Sequence, residues 1–145
     1  MSGKLTEFNA RSRHAYQAWV GIPVRFGDQD VMGHVNNAVI ATYFEHARCT
    51  LVIPEILPSV RDELSIVLAR VIIDYVREIT FPGVIDLGAH VTRIGTKSFT
   101  ISSGAFIGET CCATAEATLV FFNTNTRLAM APTADVRTRL EKLLR

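Results

Sequence analysis

The 145-residue chain has no run of about 18 apolar residues, so the sequence predicts no membrane-spanning segment. It also lacks an excess of charge. Fifteen Lys and Arg face 14 Asp and Glu, a formal net charge of +1, which speaks against the basic face of a nucleic-acid reader. Residues 1–13 are polar and contain no apolar stretch of signal-peptide type. Cysteine is scarce. Cys111 and Cys112 are adjacent and would bridge only with strain, Cys49 sits in a helical pattern, and an odd count of three builds no disulfide framework. These thiols read as small packing residues, and the expected compartment is the reducing cytoplasm. No Cys and His set has zinc spacing. Calcium-loop spacing is missing too, and Asp28, Asp30 and His34 alone offer few ligands for a hard cation. No metal or other cofactor is therefore expected. The absence of a Gly-x-Ser-x-Gly elbow argues against an α/β-hydrolase. Neither an internal repeat nor a low-complexity segment occurs.

What is present is apolar and periodic. Hydrophobic residues make up 48% of the chain, and a single domain spanning 1–145 would bury about two-thirds of its unfolded surface. Residues 15–26 predict a strand through Trp19, Val20, Ile22, Val24 and Phe26, with Pro23 marking an edge or a bulge. Val39, Tyr43, Ala47 and Leu51 recur every four residues with Ile40 and Phe44 alongside, which predicts a helix over 37–53, stopped by Pro54. Glu45, His46 and Arg48 are nearly its only titratable members, so this helix is expected to be enclosed. Residues 54–63 read as a loop. Val67, Ala69, Val71, Ile73 and Tyr75 then set one strand face against Arg70 and Asp74 on the other. Phe81-Pro82-Gly83 makes a turn, residues 85–94 a strand, and Gly95-Thr96-Lys97 punctuates it. Phe99, Ile101, Ser103, Ala105 and Ile107 alternate, as do Ala113, Ala115, Ala117, Leu119 and Phe121. A short final helix is predicted over 133–144. Short links favour an antiparallel meander. One long apolar helix and four or five strands imply an α+β fold, with the helix packed on the concave face of a curved antiparallel sheet.

The chemistry gathers between the first strand and the helix, in Arg25-Phe26-Gly27-Asp28-Gln29-Asp30-Val31-Met32-Gly33-His34-Val35-Asn36-Asn37. Carboxylates stand just ahead of a helix N-terminus, whose free N–H groups favour developing negative charge. That pairing suits acyl transfer, with a carboxylate as base or nucleophile and N–H donors for the oxyanion. The same residues also suit a plain connection, in which Asp28 and Asp30 form turns, Gly33 supplies an unusual backbone angle and Asn36 or Asn37 caps the helix. Glu45 and Arg48, three apart, are placed to pair with each other. Phe44, Leu51, Val52 and Ile53 are placed to line an acyl tunnel or to fill a core, and they favour aliphatic chains of medium or long length.

The run from Asp28 to Asn37, continued by Tyr43-Phe44-Glu45-His46-Ala47-Arg48 and by Ile94-Gly95-Thr96-Lys97-Ser98-Phe99, resembles the hotdog-fold acyl-CoA thioesterases of the 4-hydroxybenzoyl-CoA thioesterase type. The resemblance spans residues 20–132. It implies a long central helix wrapped by a curved five-stranded antiparallel sheet. It further implies a homodimer or homotetramer with active sites at the interface, and a fatty or aromatic acyl-CoA as substrate. By the same resemblance Asp30 is the catalytic carboxylate and the backbone N–H near Asn37 polarises the thioester carbonyl. Lys97 and Ser98 mark the substrate-binding junction, although Gly95 and Thr96 stand where arginines are common. His34 resembles the site histidine of plant acyl-carrier-protein thioesterases, with Met32 in place of their asparagine. It would orient Asp30, position a water or hold the loop. On the same fold, an enoyl-CoA hydratase or a non-catalytic acyl-CoA-binding module are the alternatives.

Overall fold

The protein is described here by a computed structural model that covers residues 8–59 and 63–144. Residues 1–7 of the polar N-terminal stretch and 60–62 of the predicted loop lie outside the described residues. In chain order the elements are β1 (Trp19–Pro23), α1 (Asn37–Leu51), α2 (Ile53–Ile56), β2 (Leu64–Tyr75), β3 (Val84–Ile94), β4 (Ser98–Ile107), β5 (Thr110–Asn123) and α3 (Ala134–Leu143). The strands form one five-stranded sheet in the order β1-β3-β4-β5-β2, antiparallel at every junction. This is the α+β architecture expected from the sequence, with α1 packed against the sheet.

The predicted meander is realised by β3, β4 and β5, while β1 and β2 take opposite edges. The reason is α1, which intervenes between β1 and β2 in the chain and carries it across the sheet. Pro23 ends β1 on an edge, where its missing N–H costs no ladder bond. The loop predicted from 54 holds α2 and a 3-10 turn over Leu57–Ser59. Pro54 is tolerated in the first turn of a helix, and burial of Ile56 draws that turn inward.

The alternation predicted for β2 changes phase. A bulge lies between Leu68 and Arg70, so the residues facing the same side as the buried Ala113, Ala115 and Ala117 are Tyr75, Ile73 and Val71. Before the bulge that side is taken by Leu68 and Ile66, opposite Leu119 and Phe121, while Val67 shares its outer side with Ile72. On the opposite, outer face Gly88 and Gly104 are paired across β3 and β4, and Tyr16 lies over both.

α1 buries Ile40, Tyr43, Phe44 and Ala47, the i, i+3, i+4, i+7 stripe of a core-facing helix. Its other side is open, contrary to the enclosed helix the sequence suggested: Thr42, Glu45, His46 and Cys49 are exposed. The sheet covers one flank of α1, and the chain has no second layer for the other. Phe44 and Val52 belong to the core. The cysteines are free, and burial pushes the Cys111 and Cys112 thiols up, away from reactive thiolates.

Candidate active site

The site begins with Asp28. Its buried carboxylate accepts hydrogen bonds from the Arg25 N–H at 2.9 Å, Arg25 Nε at 3.1 Å and the Tyr43 hydroxyl at 2.7 Å. Burial alone would raise its pKa. The hydrogen bonds from Tyr43 and Arg25 outweigh burial and hold the carboxyl below the usual range. The same burial and the Asp28 partner push the Tyr43 hydroxyl up. Asp28 is thus a structural clamp between the loop and α1, and its backbone carbonyl accepts the Asn36 N–H at 2.9 Å.

Two residues on, the chain reverses in a tight loop. The Asp30 N–H donates to the His34 carbonyl at 2.8 Å, and the Gly33 N–H donates to the Asp30 carbonyl at 3.2 Å. Gly33 has φ +81°, the left-handed angle anticipated for it. Asp30 Oδ1 accepts from the backbone N–H of Met32 at 2.8 Å and of His34 at 3.3 Å. One carboxylate oxygen therefore fixes the loop and Oδ2 stays available at an exposed position.

Asn36 is the helix cap, its Oδ1 accepting the Ala38 N–H at 2.9 Å. Asn37 opens α1, and among the described residues its N–H has no acceptor. The Val35 N–H donates to the Ile79 carbonyl at 2.7 Å, and the Val76 and Arg77 N–H groups both donate to the Cys112 carbonyl. The Val35 bond ties the helix start to the chain that leaves β2, and the Cys112 bonds hold that chain to β5. Tyr75 completes the tie by donating its hydroxyl to the Asn37 carbonyl at 3.2 Å.

The result is a cavity of about 580 Å³ lined by Asp30, His34, Asn37, Tyr75, Arg77 and Glu78 among others. The structure thus brings together Asp30, His34 and Asn37. It gives the His34 imidazole to Glu78 (Nε2 to Oε2, 3.1 Å), so only the His34 backbone touches Asp30. Lys97 and Ser98 lie at the other end of the sheet, roughly 20 Å away along the strands. Lys97 is exposed in the β3–β4 turn, and Ser98 lines an outer-face hollow of about 330 Å³ with Arg70, Arg93 and Thr100. Phe44, Leu51, Val52 and Ile53 do not line the 580 Å³ cavity. Sequence reasoning missed Tyr75, Arg77 and Glu78. The available signal was charge, Arg77-Glu78, where an apolar strand stops.

Among the described residues, no group of three or more His, Cys, Asp or Glu is placed to hold a metal ion, and no helix is long and apolar enough to cross a membrane.

A curved antiparallel sheet packed on one long helix is the hotdog arrangement, a fold that by itself does not fix the chemistry. The thioesterase-like superfamily model matches residues 24–140. The chain belongs to that superfamily and is a thioester hydrolase of the hotdog fold. It is similar to a Pseudomonas aeruginosa PAO1 protein at 26% identity and TM-score 0.81, covering 92% of this chain and 95% of that one. A Thermus thermophilus thioesterase complexed with coenzyme A and zinc is 27% identical, with TM-score 0.73 and coverage of 86% and 92%. The YbaW probable thioesterase of Escherichia coli shares the fold at 23% identity and TM-score 0.76, covering 89% of this chain and 100% of its own. No curated protein matches the chain.

Proposed function

We propose that the protein hydrolyses acyl-CoA thioesters to the free acid and coenzyme A in the cavity at the head of α1. The observation that carries this reading is the meeting of Asp30 and the unused Asn37 N–H in that one cavity. The thioester carbonyl oxygen points at the Asn37 N–H, where the helix dipole favours the oxyanion. Asp30 Oδ2 either takes a proton from a water that attacks the carbonyl carbon, or attacks it directly to give an anhydride that water then hydrolyses. In both routes the C–S bond breaks, water supplies the new oxygen of the acid, and the departing thiolate takes up a proton to leave as coenzyme A. The coenzyme A bound by the Thermus thermophilus relative supports this choice of thioester.

The working unit is a pair of copies joined along β2. This edge strand exposes Val67, Leu68, Val71, Ile72 and Tyr75 beside unpaired backbone groups. Joining two β2 edges antiparallel turns the second copy end for end. Its β3–β4 turn then comes to the end of the sheet where Asp30 and Asn37 lie. Lys97 and Ser98 of the second copy are thereby placed to reach the coenzyme A, a role they cannot fill within their own chain.

The test is thiol release from a panel of acyl-CoAs by the wild type and Asp30→Asn. The variant should lose at least about a hundredfold in kcat while keeping its fold. Asn37→Ala should stay within about tenfold of wild type, because the donor is backbone. Equal activity of Asp30→Asn removes Asp30 from the mechanism. Coenzyme A stabilising the fold with no turnover favours a binding module, and loss of enoyl-CoA absorbance without thiol release favours a hydratase.

A further inference from the structure

We propose that the acyl channel ends at Arg48, and that the preferred acyl group carries a hydrogen-bond-accepting oxygen at its far end. This rests on the reading of the α1-head cavity as the thioester site.

Arg48 is 6% exposed, yet among the described residues its guanidinium has no hydrogen bond and no ion pair. The Glu45 partner suggested by helical spacing is not within ion-pair distance. Its nitrogens are not fully shut off from solvent, and they are left to the cavity that Arg48 lines, so an acceptor entering there meets donors that no protein group engages. Arg48 faces a second cavity of about 150 Å³, lined by Ala41, Thr42, Glu45, Leu68 and Val71 as well.

The two cavities are separate but lie one after the other along the seam between α1 and β2. Asn37 lines the first and Ala41 the second, one helical turn apart. On the strand side Tyr75 lines the first and Val71 the second, on the same face of β2. A carbonyl held at Asn37 therefore directs its acyl chain down the seam, past Ala41, Val71 and Leu68. From Asn37 to Arg48 the helix advances about 16 Å. The arginine side chain leans back toward the helix start and shortens that span. The chain that fits has roughly eight to twelve carbons, an extended chain advancing about 1.25 Å per bond. Its far end meets an Arg48 donor, a Glu45 acceptor and the Thr42 hydroxyl. A hydroxyl answers both charges, accepting from Arg48 and donating to Glu45. A carboxylate answers Arg48 alone and meets repulsion from Glu45.

The experiment compares acyl-CoAs of matched length ending in methyl, hydroxyl or carboxylate, with wild type and Arg48→Leu. Wild type should favour an oxygen-bearing end by about tenfold or more in kcat/KM, hydroxyl ahead of carboxylate, and Arg48→Leu should abolish that preference. Wild-type preference for the methyl end, or no preference, overturns the proposal, and neither result needs a folded variant. A preference that survives in Arg48→Leu also overturns it. Wild type inert on every thioester is a failure of the underlying hydrolase reading. In that event the free hydroxy acid of the same length should still raise the Tm of wild type and not of Arg48→Leu, and equal shifts overturn the proposal. Arg48→Leu that separates the copies in sedimentation, with a wild type blind to the chain end, assigns Arg48 to pairing with a second copy instead.

Discussion

Asp28 and Asp30 stand two positions apart in the same loop, and the difference between them is what surrounds each carboxylate. Asp28 is filled by Arg25 and Tyr43, while Asp30 keeps one oxygen free. Tyr43→Phe removes a buried hydrogen bond to a charged acceptor and should cost about 2 kcal/mol in chemical denaturation. The depressed Asp28 carboxyl has a defined pH signature. Its stabilisation is complete above the ordinary value of 3.8 and is lost as the pH falls through the lower folded-state value. The Tm gap between wild type and Asp28→Asn should therefore be full near about pH 6 and close toward about pH 2. The raised Tyr43 hydroxyl acts at the other end of the scale, its stabilisation holding below the ordinary value of 10.0 and fading as the pH climbs beyond it. In sequence, both aspartates read equally as turn residues. Only the resemblance separated Asp30 from Asp28, and only the fold showed why Asp28 is spent.

At the scale of elements, the sheet owes its outer face to an absence of side chains. A Cβ at Gly88 would lie 2.6 Å from Tyr16, and one at Gly104 would lie 2.5 Å from Phe106 and 3.0 Å from Tyr16. Tyr16 thus packs flat on the backbone, with its hydroxyl donating to the Ala10 carbonyl at 2.7 Å and its ring beside Trp19, Phe106 and His90. Gly88→Ala should destabilise by about 1–3 kcal/mol. Combined with Tyr16→Ala it should cost less than the sum of the single changes, a coupling that a double-mutant cycle measures. The helix head has its own test. Asn36→Ala removes the cap on α1 and should cost about 1 kcal/mol. The courses of α1 and α3 were legible because apolar residues recur at helical spacing along them, although α1 ends at Leu51 and Pro54 lies inside α2 instead of stopping a helix. The β2 phase was not, because a bulge at one residue exchanges the faces of everything beyond it, and Ala69 gives no sign of it.

For the whole molecule, the open flank of α1 and the apolar β2 edge adjoin each other, and the proposed second copy would cover both. Sedimentation should find a dimer or larger assembly of the wild type. Val67→Lys together with Ile72→Lys, two charges on the outer face of the edge strand and away from the seam with α1, should yield monomers that have lost most of their activity. A monomeric wild type with full activity would overturn the two-copy site. Under the proposed pairing, symmetry would carry Lys97 and Ser98 across the roughly 20 Å that separates them from the cavity in one chain.

By itself the sequence determined the fold class, the position of α1, and the loop that holds Asp30, His34 and Asn37. Periodicity, glycine geometry and helix capping act between near neighbours, and so they can be read along the chain. The tertiary structure alone decided that β1 and β2 take opposite edges and that His34 turns to Glu78. It also decided that Phe44 fills the core, leaving Arg48 facing a cavity. Those outcomes depend on which distant elements share a surface. Burial and charge there are set by neighbours far away in sequence, and no local pattern records them.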